Sequence, residues 1–102
     1  MTDTNAPTVT RNEALLASKV LAGINSMLGY GSVEWWSPNQ LRELIDRVPE
    51  ETGREQIRTT IRVLQVMLAE RGHDDSVGYA PIVVRDWAEK LPAAGDKQED
   101  AA

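Results

Sequence analysis

Three times in this chain a hydroxyl residue is followed, three positions on, by Glu or Gln: Thr10 with Glu13, Ser37 with Gln40, and Thr52 with Glu55. A pair at that spacing can satisfy backbone N–H groups that the first turn of a helix leaves without partners. The recurrence therefore commits much of the chain to helix before any periodicity is read. From Thr10 the first helix is expected to run to about Leu28, with Leu16, Val20, Leu21, Ile24, Met27 and Leu28 along one side and Gly29 and Gly31 as stops. The second starts at Ser37 with Pro38 at its first helical position, carries Leu41, Leu44, Ile45 and Val48, and ends at Pro49. The third spans Thr52 to Gly72 and buries Ile57, Ile61, Leu64 and Leu68, with Arg71 and Gly72 suited to its negative end and a left-handed cap.

The segment Gly78–Pro92 admits two readings. Ile82, Val83 and Val84 are β-branched and could form a short strand, whereas Val83, Trp87 and Leu91 fall at helical spacing. Helix from Pro81 to Leu91 is the favoured reading, with Pro92 as its stop. The connections have lengths usual in compact helical domains. The expected fold is all-α, a compact four-helix domain over residues 10–92. Residues 1–9 and 93–102 are expected to be disordered tails, the second of them acidic, because neither has apolar periodicity.

At 102 residues the chain has room for one domain. Phe is absent and aromatic residues supply 5% of the chain, so the core must be mainly aliphatic. The absence of cysteine removes disulfides, thiolate nucleophiles and cysteine-ligated metals. No apolar run of secretory or membrane-spanning length occurs, and the expected location is cytoplasmic. His73, Asp74, Asp75 and Ser76 are too close in sequence to converge on one atom, and no Gly-rich phosphate loop accompanies them. Glu50 and Glu51 read as a solvated helix approach rather than an acid–base pair. No catalytic residue, metal, cofactor, small-molecule substrate or membrane partner is expected.

The net charge of −5 argues against a strongly basic nucleic-acid binder, but the tails hold −3 of it and the body is nearly balanced. Within that body Arg54, Arg58 and Arg62 stand four apart on one stripe of the third helix. The string Gly53-Arg54-Glu55-Gln56-Ile57-Arg58-Thr59-Thr60-Ile61-Arg62-Val63-Leu64 resembles the recognition helix of GntR-type winged-helix regulators. Arg42-Glu43-Leu44 resembles the start of the scaffold helix in the same family. The resemblance implies a helix-turn-helix or winged-helix arrangement, with Ile57, Ile61 and Leu64 packed on the second helix and Arg54 and Arg58 facing double-stranded DNA. On that reading Arg54, Arg58, Thr59 and Arg62 form the nucleic-acid face of a transcription-modulating protein. Where the family places a β-hairpin wing, this chain has His73–Tyr79 with two acidic residues.

Two other readings of the same residues stand beside it. The arginines can flank the core stripe and pair with carboxylates such as Glu43, Glu50, Glu51 or Glu55. Val63, Val66 and Met67 lie away from the main apolar stripe, so the third helix is either central or exposes a second apolar face to a protein partner or a homodimer mate. Trp35 and Trp36 precede the Ser37 cap, and neighbours in an extended segment point opposite ways. Either one ring anchors the core while the other is exposed for binding, or both fold over the core. Trp35, Trp36, Val63, Val66 and Met67 are thus the partner-binding candidates of an adaptor, inhibitor or small assembly subunit.

Overall fold

A computed structural model describes residues 9–31 and 33–91. Arg11–Leu28 forms α1, Pro38–Ile45 α2, Glu51–Glu70 α3 and Pro81–Glu89 α4, and the described residues contain no strand. The four-helix, all-α expectation holds. Most of the tail assignments fall outside the described residues; Val9 is the exception, being partly buried against the core rather than part of a disordered tail.

Two of the three expected capping boxes form. Thr10 Oγ1 accepts from Glu13 N–H and Glu13 Oε1 accepts from Thr10 N–H, each at 3.0 Å. Ser37 and Gln40 exchange the equivalent bonds at 3.2 and 2.8 Å, with Pro38 opening α2. The third box does not form, because α3 begins one residue before Thr52 and its N-cap is Glu50, which makes no side-chain cap bond. Arg54 instead fixes the turn before the helix, donating to the carbonyls of Val48 and Pro49 at 2.8 and 3.0 Å. α2 also stops short of its expected end, with Arg47 and Val48 N–H groups closing tight turns onto Leu44 and Ile45.

Glycine ends α1 and α3 as expected. Gly29 and Gly72 have φ of 81° and 74°, a left-handed conformation costly for any residue with a Cβ. In each case the next residue completes the paired cap: Tyr30 N–H reaches Asn25 O at 2.7 Å, and His73 N–H reaches Leu68 O at 2.9 Å.

α1 packs against α3 and α4, and α2 packs against α3. The core between them is aliphatic, built on Leu21, Leu41, Ile57, Leu64, Met67 and Val84. Burying a side chain of this size contributes roughly 1.5–3 kcal/mol each. Two stripes sit differently from the sequence expectation. α4 buries Val84 and Ala88 and packs Trp87 and Leu91 beside them against the core, while Val83 is 36% exposed, so of the expected Val83–Trp87–Leu91 stripe only Val83 faces outward. On α1 the buried face is Ala14, Ala17, Ser18, Leu21 and Asn25; Met27 and Leu28 face outward. The helical reading of residues 82–84 is correct, and among the described residues the β-type pairing is a single antiparallel bridge between Trp36 and Tyr79.

Candidate functional site

The arginine row lies along one side of α3, and carboxylates of this chain occupy it. Arg54 pairs with Glu51 at 2.8 Å, and Arg58 pairs with Glu51 at 3.0 Å and also with Glu55. Arg62 reaches across to α1 and meets Glu13 at 2.7 Å. Thr59 beside them is half-buried. Glu13 thereby serves two elements, capping its own helix through Thr10 and holding α3 through Arg62.

These contacts set the titration of the carboxyls. The Arg62 hydrogen bond, followed by that from Thr10, holds Glu13 below the ordinary glutamate value. Arg58 and then Arg54 lower Glu51 in the same sense. In the loop before α4, Arg42 and Gln65 lower Asp75, and the Ser76 hydroxyl and N–H lower Asp74. A carboxyl that titrates lower in the folded than in the unfolded chain stabilises the fold above its unfolded value and loses that stabilisation as pH falls through the folded one. The urea midpoint is therefore expected to be flat from neutrality to about pH 5 and to fall below about pH 4. Glu13→Gln should shallow that fall. An equally steep decline in the variant would show that Glu13 takes no part in it.

The partner-binding candidates separate. Val63 and Met67 are fully buried, so they cannot present a surface; the third helix is central, sandwiched so that both of its apolar sides are used internally. Val66 is half-buried. Trp35 is 52% exposed and Trp36 is half-buried, which resolves the pair into one outward and one inward ring. Trp36 Nε1 donates to Asn25 Oδ1 at 2.6 Å, while Asn25 Nδ2 donates to the carbonyls of Gly31 and Glu34 at 3.0 and 3.1 Å. A shallow depression of about 400 Å³ lies beside Trp35, walled by Val33, Tyr79 and Val83.

The more extended apolar feature is one that the sequence reading merged with the core. A groove of about 620 Å³ runs between α1 and the α2–α3 region. α1 lends it Leu16, Val20, Ile24 and Met27, and the opposite wall carries Leu44 and Val48. Its lining includes just two charged residues, Lys19 and Glu50, and no aromatic ring. Met27 at its edge is 85% exposed. The signal was present in the sequence: at roughly 100° per residue, Ala14, Ala17 and Leu21 cannot share a face with Leu16, Val20 and Met27, so α1 carries two apolar stripes rather than one.

The loop cluster has a structural role. Asp75 joins Arg42 of α2 at 2.7 Å to Gln65 of α3 at 3.1 Å, and Asp74 accepts from the N–H and hydroxyl of Ser76. Among the described residues no group of three potential ligands is placed to hold a metal, and no helix is long and apolar enough to cross a membrane. No protein-family model, curated protein or solved structure matches this chain.

Proposed function

We propose that this chain is a non-enzymatic protein-interaction module of the adaptor, inhibitor or small-assembly-subunit kind. Its binding element is the α1–α2–α3 groove, and its ligand is an amphipathic helix presenting aliphatic side chains. The observation that carries this reading is the exposure of Met27, 85%, at the edge of a groove whose walls are aliphatic along their length. Large apolar side chains left in water as a continuous patch mark surfaces that are covered in use. A row of aliphatic residues one turn apart on one helix, facing a second aliphatic wall, suits the i, i+3, i+4, i+7 anchors of a docked helix.

Charge favours this reading over the DNA-binding one. A phosphate backbone would have to displace Glu51, Glu55 and Glu13 from Arg54, Arg58 and Arg62, and the displaced carboxylates would remain beside it. The net charge of −5 opposes the approach as well. Where a winged-helix protein would offer a wing, residues 72–80 form a loop held by Asp75, which faces Arg42 rather than solvent phosphate.

Fluorescence anisotropy tests the two readings together. A labelled amphipathic helical peptide with leucine at heptad a and d positions should bind in the micromolar range, hold its affinity between about 50 and 200 mM salt, and lose it in Met27→Glu. A mixed-sequence duplex should show no binding at about 50 mM salt. Duplex binding that collapses with salt and in the Arg58→Ala/Arg62→Ala variant would sink the groove reading in favour of DNA.

A further inference from the structure

We propose that the helix the groove receives is α1 of a second copy of this chain, laid antiparallel across the first to make a two-fold symmetric dimer. The inference rests on the reading of the groove as a helix-binding surface, and it adds the identity of the occupant. α1 has its inner stripe in the core of its own molecule. Its outer stripe, roughly 150° away around the helix, places Leu16, Val20, Gly23 and Met27 at spacings of four, three and four. That is the spacing of a seam between two helices. The same helix therefore supplies both a wall of the groove and a face able to fill one, which is the self-complementarity that an isologous two-fold interface needs.

Gly23 supplies an independent argument. A glycine inside a helix costs about 1 kcal/mol relative to alanine. The other glycine of the groove, Gly53, has a reason within its own molecule, since a Cβ there would stand 2.8 Å from Val48 Cγ1. A Cβ on Gly23 would meet nothing within 4 Å. The space over Gly23 is thus unused by the described residues and lies at the middle of the outer stripe, where two helices crossing closely would need it.

Direction follows from charge. Pairing about Gly23 and Ile24 in the antiparallel sense sets Val20 against Met27 of the second copy, twice by symmetry. It also brings Lys19 beside the last turn of the other α1, which contains no basic residue and ends in the partial negative charge of the helix. A parallel pair would place Lys19 against Lys19. The terminal segments are poor competitors for the groove, because residues 1–8 and 92–102 together hold Met1 as their only large aliphatic side chain.

Sedimentation equilibrium of the full chain tests the proposal. At about 100 µM the expected species is twice the 11.3 kDa chain mass, dissociating on dilution as a modest interface should. Gly23→Glu should remain folded, given the open space at that position, and should weaken the dimer at least tenfold by opposing two carboxylates at the two-fold axis. Because the chain has no cysteine, direction can be read by oxidation: a mixture of Val20→Cys and Met27→Cys proteins should give the mixed disulfide in preference to either homodimer. A wild-type monomer at that concentration, an undiminished Gly23→Glu dimer, or preferential homodimer cross-links would each overturn it. A monomer that still binds the model helical peptide would remove the second copy as occupant and leave the groove reading standing; a monomer that binds none would remove both.

Discussion

Asn25→Leu is expected to destabilise this protein by about 2–4 kcal/mol, because leucine branches at the same carbon but is bulkier and carries neither donor nor acceptor. Asn25 is 1% exposed at the C-terminal end of α1, and all three of its side-chain bonds point at the connection to α2. Leucine crowds the space and removes the partners. Trp36 Nε1 loses its acceptor, and the carbonyls of Gly31 and Glu34 lose a common donor. Both carbonyls belong to exposed residues that water can approach, so the penalty falls short of three fully orphaned groups. A domain of this size has only about 5–10 kcal/mol of total stability, and the loss should be plain in urea unfolding followed by tryptophan emission. Asn25→Asp keeps the acceptor and loses the donor, and should recover part of the loss at a pH low enough to protonate it. A variant within about 0.5 kcal/mol of wild type would mean that solvent replaces these bonds without cost.

The same residue shows where sequence reasoning reached and where it stopped. Helix starts and stops are local chemistry, which is why the starts at Thr10–Glu13 and Ser37–Gln40 and the stops at Gly29 and Gly72 could be placed from the local sequence alone. The third start failed because the chain enters the helix at Glu51, ahead of Thr52, after a turn that the Arg54 guanidinium fixes through the carbonyls of Val48 and Pro49; those bonds hold the turn and leave the first-turn N–H groups without a side-chain cap. Phase around a helix depends on how many neighbours it has. With α1 on one side and α2 on another, α3 uses Val63 and Met67 as core along with Leu64 and Leu68, so the second apolar face that suggested a surface was interior. α1 erred in the opposite sense, since placing Leu16, Val20, Ile24, Met27 and Leu28 on one side with Leu21 hid the groove-facing row. Asn25 itself gave no signal, being a polar residue whose partners lie six, nine and eleven positions further on.

The Trp36–Tyr79 bridge ties down the same connection from its other side, and Gly78→Ala is expected to break it at a cost of about 3 kcal/mol or more. The bridge exchanges both backbone bonds at 3.0 Å and brings the segment before α2 against the segment before α4. That approach leaves no room at Gly78. A Cβ there would stand 2.5 Å from Trp35 Cε3, 2.5 Å from Trp36 C and 2.6 Å from Trp36 O, against 3.4–4 Å for ordinary contact. The Trp35 ring could turn aside, but the Trp36 atoms are backbone, and relieving them means separating the two segments by the best part of an ångström. Both bridge bonds would lengthen, and Tyr79 would move from beneath Arg71, whose guanidinium carbon lies 5.3 Å from its ring centre. At about 4–8 °C per kcal/mol for a domain of this length, the melting temperature should fall by more than 10 °C. Gly23→Ala is the matched control, measured in dilute protein so that association does not enter. There the new methyl meets open space inside a helix, and the same substitution should raise stability by about 1 kcal/mol. Opposite signs at the two glycines would show that close backbone approach, rather than a general effect of adding a methyl group, makes Gly78 indispensable. A Gly78→Ala protein that melts with the wild type would show instead that the Trp35–Trp36 segment yields freely, and that Trp35 is not held in a fixed place on the surface.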